Sequence, residues 1–332
     1  MNEALIDRFG RVHTSLRISV TDRCNIRCLY CMPAANVRFK PRHEILTFEE
    51  IERLTRVVAA MGVDRLRVTG GEPLVRADLP SLVRKLAQVA GIREVAMTTN
   101  GILLADHASQ LKAAGLTRLN ISLDAVREES FRRISRRPGV HRVLEGILAA
   151  QRVGFDKIRL NAVAIRGFTE DEIVPLAAFA RDHGLELRFI EFMPLDAEQN
   201  WRDERVLPGG EIRERLEDVF GPLVPAPRPN PSQPAADYEF VDGHGRVGFI
   251  SSVSQPFCGQ CGRLRITAEG KVRNCLFSTE EWDARALLRS GGSDEELARL
   301  IRECVQAKKT GHGVDQPEYF SRPERAMHQI GG

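Results

Sequence analysis

The sequence predicts an α/β fold: a parallel sheet curled as an incomplete (β/α)6 barrel of TIM type, with a C-terminal α+β extension closing the open side. Three observations carry that reading. Strand and helix patterns alternate through the first two-thirds of the 332 residues. Consecutive parallel strands need crossover helices, and right-handed crossovers curl the sheet. The distinctive polar residues fall just past the carboxyl ends of the predicted strands, where sites on such sheets gather.

In order, the first strand is read at Leu16 to Val20, where apolar residues alternate with Arg17 and Ser19. Thr47-Phe-Glu-Glu50 is a capping box opening a helix with Ile51, Leu54, Val57 and Val58 on one face. Strands follow at Arg65 to Thr69, Glu94 to Thr98, Arg118 to Ser122, Ile158 to Ile165 and Glu186 to Phe192. Their ends lead into Gly70-Gly71-Glu72-Pro73, Thr98-Thr99-Asn100-Gly101, Ser122-Leu123-Asp124 and Glu191-Phe192-Met193-Pro194. Each alone reads equally well as a turn or cap, and their common location gives them weight. A helix at Glu211 to Phe220 ends in a run of prolines at 222, 225, 227, 229, 231 and 234, a density that excludes helix and sheet interior. The expected division is therefore a barrel over 1–221, an extended linker over 222–236, and a second region over 237–332 with short strands at Tyr238 to Val241 and Arg246 to Ile250. Near the end, Leu297, Leu300, Ile301, Cys304 and Val305 share one helical stripe, which makes Cys304 a small core hydrophobe.

Composition narrows the function. With 42% apolar and 28% charged residues the chain is ordinary for a globular protein, and a net charge of +3 is too small to imply nucleic-acid binding. No apolar segment near the start resembles an export signal and no run is long enough to span a membrane, so a cytoplasmic location is expected. In a reducing compartment, clustered cysteines favour metal over disulfide.

Six of the seven cysteines fall into two triads: Cys24, Cys28 and Cys31 as CxxxCxxC, and Cys258, Cys261 and Cys275 as CxxC with a later cysteine. Three thiolates leave a fourth coordination position vacant, which a reactive centre needs and a structural zinc site avoids. Zinc remains the alternative for both. Near the first triad the candidates for a fourth ligand are Asp22, His13 and His43, none at finger spacing, and the second triad lacks another CxxC or a finishing histidine.

After Cys261 come Arg263-Leu264-Arg265, whose alternation on a predicted strand sends both arginines to one face. Arg17 and Arg67 add inward positive charge. Paired cations there call for an anionic ligand, with internal salt bridges as the alternative. No Walker sequence appears, so side chains and not a phosphate loop would hold a triphosphate. Arg132, Arg133, Arg136 and Arg137 read as a solvated surface patch.

Cys24-Asn-Ile-Arg-Cys28-Leu-Tyr30-Cys31, with the GGEP of Gly70 to Pro73 some forty residues on, resembles the signature of the radical S-adenosylmethionine (SAM) superfamily. Over its full length the chain resembles one branch, the GTP 3',8-cyclases that open molybdenum cofactor synthesis. The shared segments are TTNG, SLDA at Ser122, RFIExMP at Arg188 to Pro194, CxxC-x-RLR, KKxGH at Lys308 to His312 and the terminal Gly331-Gly332. Gly262 and Arg159 stand where that family often has Asn and Lys.

The resemblance implies two 4Fe-4S clusters, the first on Cys24, Cys28 and Cys31 and chelated by SAM, the second on Cys258, Cys261 and Cys275 and facing the substrate. It implies SAM contacts at Tyr30, Gly71, Ser122 and Met193, GTP contacts at Arg17, Arg67, Thr98, Arg159, Arg263, Leu264 and Arg265, and a tail, Gly331-Gly332, reaching the active site. It further implies a 5'-deoxyadenosyl radical that takes the ribose 3' hydrogen of GTP, attack of the carbon radical on guanine C8, a downstream cyclic pyranopterin monophosphate synthase, and a flavodoxin- or ferredoxin-type electron donor. Neither nucleic acid nor membrane is an expected partner, and monomer and homodimer both stay open. The rival readings are a peptide-modifying radical SAM maturase, which usually brings more C-terminal cysteines, and a zinc-bound nucleic-acid module.

Overall fold

The computed structural model describes residues 4–227, 232–314 and 320–331. Six parallel strands, β1 (Ser15–Ser19), β2 (Arg65–Thr69), β3 (Glu94–Thr99), β4 (Arg118–Ser122), β5 (Ile158–Ala164) and β6 (Glu186–Glu191), lie side by side in chain order. The helices are α1 (Phe48–Ala60), α2 (Leu79–Ala87), α3 (Leu104–Ala113), α4 (Glu128–Ser135), α5 (Val140–Arg152), α6 (Ile173–Asp182), α7 (Gly209–Phe220), α8 (Ala284–Arg289), α9 (Asp294–Gln306) and α10 (Met327–Ile330). The sheet remains open, as an incomplete barrel requires.

The C-terminal stretch does more than cover the mouth. β9 (Arg246–Ile250) pairs in parallel with β6, Glu186 opposite Arg246, and β10 (Arg263–Ile266) pairs in parallel with β1, Ser15 opposite Arg263. One late strand is thus added to each side of the original six. Outside β9 lie β8 (Ala236–Phe240) and β7 (Leu223–Pro225), and outside β10 lie β11 (Lys271–Arg273) and β12 (Trp282–Asp283), all antiparallel. Part of the proline run, Leu223–Pro225, forms a strand at the sheet edge, which the exclusion of helix and sheet interior leaves open. Pro225 sits in the outermost strand, where a missing N–H costs least. Pro229 and Pro231 lie outside the described residues.

Period-two alternation divides each barrel strand into two faces. Leu16, Ile18, Leu66, Val68, Leu119 and Leu160 are all but inaccessible and form the layer under the helices, each such side chain contributing about 1.5–3 kcal/mol by leaving water. α1 starts where the sequence predicts. The Thr47 hydroxyl accepts from Glu50 N at 3.2 Å, and the Glu50 carboxylate accepts from Thr47 N at 2.7 Å. Ser293 and Glu296 repeat this box ahead of α9, whose buried face is Leu297, Ile301, Cys304 and Val305. Cys304 is a packed core residue. α9 lies on α1, where Arg53 Nε meets Asp294 Oδ1 at 2.7 Å.

Candidate active site

The inward faces of the strands enclose one cavity of about 1310 Å³. All six triad cysteines line it, although more than two hundred residues of chain separate Cys31 from Cys258. Tyr30, Gly71, Ser122, Met193, Thr98 and Arg159 line it as well, together with Arg17, Arg67, Arg263 and Arg265. Leu264 does not: its side chain leaves β10 on the opposite face and is fully buried in the apolar core, so only its backbone is placed to meet a ligand. Gly331 is buried beside Ser19 and Thr69, and Gly332 lies outside the described residues.

The loop carrying the first triad is held from several directions. Gly71 N donates to Thr21 O at 2.6 Å and Glu72 N donates to Arg23 O at 2.7 Å. A Cβ on Gly70 would lie 2.6 Å from Thr21 O, and one on Gly71 would lie 2.2 Å from Arg23 O. The glycine pair thus first admits the cysteine loop itself, where the sequence reading pictured a ligand. Glu72, which follows, accepts from Thr99 Oγ1 at 2.8 Å and from Asn100 N at 2.7 Å, and burial pushes its carboxyl up to about 7. Asn100 Nδ2 then reaches Asn25 Oδ1 at 2.7 Å and Cys24 Sγ at 3.7 Å. On the other side, Tyr30 OH donates to Asp124 Oδ2 at 2.7 Å while Val163 N donates to Asp124 Oδ1 at 2.8 Å. The segments after β2, β3 and β4 thereby act as a scaffold for one loop.

The second triad sits among cations. Arg263 Nε donates to Cys261 Sγ at 3.2 Å, and Lys308 Nζ lies 3.8 Å from the same sulfur and 3.0 Å from Arg263 O. Burial alone would raise this thiol, but Arg263 and Lys308 outweigh it and bring Cys261 down to about 6. Lys308 is anchored in turn by His13, whose Nδ1 lies 3.0 Å from Arg11 O and whose Nε2 lies 3.2 Å from Lys308 Nζ. An ammonium can only donate, so Nε2 is the bare nitrogen and Nδ1 carries the proton given to the carbonyl.

Between the triads runs a row of guanidinium groups. Arg265, Arg17 and Arg67 are register partners across β10, β1 and β2. Arg159, Arg118 and Arg188 satisfy the salt-bridge alternative: Arg159 and Arg188 share Glu186, at 2.7 Å and 2.5 Å, and Arg118 meets Glu94 at 2.7 Å. Arg17 and Arg67 do not, since neither forms a hydrogen bond or ion pair among the described residues. Burial, and then the neighbouring arginines, pull both well below the usual guanidinium range. That is the signature of a site prepared for an anion. Arg265 is differently placed, because its Nη1 donates to Gly331 O at 2.6 Å and so holds the tail.

The donor chemistry fits iron–sulfur clusters. All seven cysteines are free thiols. Burial pushes Cys24 up to about 11, and burial, Asp124 and the other two sulfurs hold Cys28 well above the usual thiol range. Three neighbouring thiolates need positive charge among them, which a metal centre supplies. Among the described residues no three of His, Cys, Asp or Glu close round a single ion, as zinc requires with sulfurs about 3.8 Å apart. A four-iron cube takes its three thiolates at separate corners, and the three sulfurs of each triad share the cavity wall.

Several contributors escaped the sequence reading. Asn120 and Asn161 line the cavity beside Arg118 and Arg188, and the alternation Arg118, Asn120, Ser122 on β4 was the available signal. Arg11, which ties Cys258 O, Lys309 O and Thr310 O together at 2.8, 2.7 and 3.1 Å, had none.

The sequence matches the Radical SAM superfamily over residues 18–180 and the family described as Molybdenum Cofactor Synthesis C over residues 185–314. A GTP 3',8-cyclase of Rhodopirellula baltica is 53% identical over 332 residues, covering 99% of this chain and 92% of that one. A GTP 3',8-cyclase of Streptomyces coelicolor is 45% identical over 329 residues, covering 99% and 96%. Among solved structures, Streptococcus suis SuiB bound to S-adenosylmethionine superposes with a TM-score of 0.64 at 14% identity, over 95% of this chain and 77% of that one, a likeness of fold alone. With these relatives matched from end to end and both cysteine triads opening on one cavity, the chain belongs to the GTP 3',8-cyclase family of the radical SAM superfamily.

Proposed function

We propose that the chain converts GTP into (8S)-3',8-cyclo-7,8-dihydroguanosine 5'-triphosphate, the opening step of molybdenum cofactor synthesis. The observation that supports this reading best is a pair of arginines without a partner among the described residues, Arg17 and Arg67, standing in register with Arg265 in one cavity with two three-thiol sets. When bound, SAM and the first cluster supply a 5'-deoxyadenosyl radical that removes the ribose 3' hydrogen and so opens ring closure on guanine C8.

The protein's share is position and charge. Cys24, Cys28 and Cys31 hold the first cluster, and Tyr30, Gly71, Ser122 and Met193 surround SAM. Cys258, Cys261 and Cys275 hold the second cluster. Arg17 and Arg67 neutralise the triphosphate, with Thr98, Arg159 and Arg263 beside them. Residues 1–221 carry the radical-generating half and 237–332 the second-cluster half. The product passes to a cyclic pyranopterin monophosphate synthase, and a flavodoxin- or ferredoxin-type protein supplies electrons. We place the reaction in the cytoplasm; no helix among the described residues is long and apolar enough to cross a membrane.

Anaerobic reconstitution followed by iron and sulfide counting and a product assay on GTP plus SAM tests the reading. Two four-iron clusters and cyclised product are expected. Arg67→Ala removes a charge-assisted contact worth about 1.5–3 kcal/mol, so GTP binding weakens about tenfold or more while SAM cleavage stays measurable. Unchanged nucleotide affinity would count against the assignment.

A further inference from the structure

The first-triad loop has an outer face that neither the cavity nor the core explains. Residues 23–42 carry five cationic side chains and residues 130–139 carry four, with no carboxylate in either stretch. The whole chain carries only +3, so the rest of the molecule is net negative. The two stretches are joined in space: Arg27 N donates to Ser135 O at 2.8 Å and Leu29 N to Ile134 O at 3.0 Å. Ala34 N and both Nη atoms of Arg136 converge on the Glu198 carboxylate at 2.6–2.9 Å. Arg23 and Arg27 lie over the Phe39 ring at 5.4 and 5.7 Å.

None of these nine cations lines the cavity, so the substrate does not account for them. The carboxyl end of α4 favours a cation or two in its last turn, Arg136 is answered by Glu198, and Lys40 Nζ lies 3.7 Å from Glu44 Oε2. Arg38, Arg42 and Arg132 are exposed and form no ion pair among the described residues. Behind the patch the wall is thin. A small void of about 10 Å³ is lined by Cys28 and Tyr30 on one side and by Phe131, Ile134 and Ser135 of α4 on the other. Arg132 and Arg133 are exposed on the side of α4 turned away from that void, and Arg136 lies near enough to the Cys28 sulfur for their charges to interact.

We propose that this face is the docking surface for an acidic, low-potential one-electron carrier protein, an inference that rests on the radical chemistry proposed above. Electron transfer through protein decays steeply with distance, and once SAM and substrate fill the cavity the outer side of the cysteine loop is the approach left open. A patch of one sign steers an oppositely charged partner and raises its association rate, with an effect that salt screens. In the transfer the carrier loses one electron and the first cluster gains one; no proton or covalent bond moves.

The test uses reconstituted full-length enzyme and the double charge reversal Arg132→Glu/Arg137→Glu, read first as affinity for purified flavodoxin by calorimetric titration, which is expected to weaken at low salt, and then through 5'-deoxyadenosine formation with either flavodoxin hydroquinone or dithionite as reductant. The flavodoxin-driven rate is expected to fall about tenfold or more at low salt, the difference is expected to shrink as salt rises, and the dithionite-driven rate is expected to hold. Equal flavodoxin-driven rates in the two proteins overturn the proposal. So does loss of the dithionite-driven rate with iron content intact, or a patch that captures anionic lipid vesicles or RNA while carrier-driven turnover is unaffected. Should the reversal reduce iron loading, the neutral pair Arg132→Gln/Arg137→Gln carries the same comparison with a smaller expected fall. Absence of 5'-deoxyadenosine from wild type with dithionite would sink the radical reading itself, a distinguishable result.

Discussion

At the scale of single residues, His13 shows how a buried group records its surroundings. Burial and then the Lys308 ammonium hold its pKa down to about 4, against an ordinary 6.5. Between those values the unfolded chain binds a proton that the folded chain refuses, so stability falls as pH drops through that window. The gap is worth about 3 kcal/mol. The advantage of wild type over His13→Gln in thermal unfolding should therefore shrink by that amount from neutral pH to about 4; a constant difference would show that the imidazole is not held neutral. Residue identities at the site were mostly legible in the sequence because chemistry fixes them: thiols in triads, glycines where backbone crosses backbone, arginines on alternating positions. What could not be read was pairing. Nothing in the local pattern tells that Arg159 and Arg188 share Glu186 whereas Arg17 and Arg67 find no carboxylate among the described residues, since that depends on which strands become neighbours.

Elements were legible where two signals agreed. α1 has both an apolar stripe and a capping box, and it begins where both say it should. Thr47→Ala should cost about 1 kcal/mol, as loss of a side-chain cap does, and should be read as a lowered unfolding midpoint with the cavity chemistry unaltered; a loss several times larger would mean Thr47 supports more than its helix. β7 has no strand signal of its own in the sequence: proline density excludes helix and sheet interior and leaves an edge strand and an extended linker alike. β10 was expected as a strand on the strength of two arginines, but its partner β1 could not be named from sequence, because parallel pairing across most of the chain leaves no local trace.

For the whole molecule, the tail is the integrating feature. Met327 and Ile330 join a small apolar cluster with Met193, Leu195, Val253 and Phe277. His328 Nδ1 lies 3.3 Å from Cys31 O, and Gly331 O accepts from Arg265. One short segment thus touches the first triad's loop and an arginine of the second half. Deleting Gly331 and Gly332 should leave iron content unchanged while abolishing cyclisation, because Arg265 loses the carbonyl that positions it. Full turnover by the shortened chain would show the contact to be incidental.

The two late parallel strands on either side of the barrel also govern the order in which the protein is built. β1 stands ahead of every barrel helix in the chain, yet its outer neighbour β10 is synthesised only after all of them have appeared. Until then the nascent chain displays two unsatisfied sheet margins, the feature most prone to pairing with a stranger. Docking of β9 and β10, more than collapse of the first six units, is therefore what covers the two margins of the six-stranded sheet.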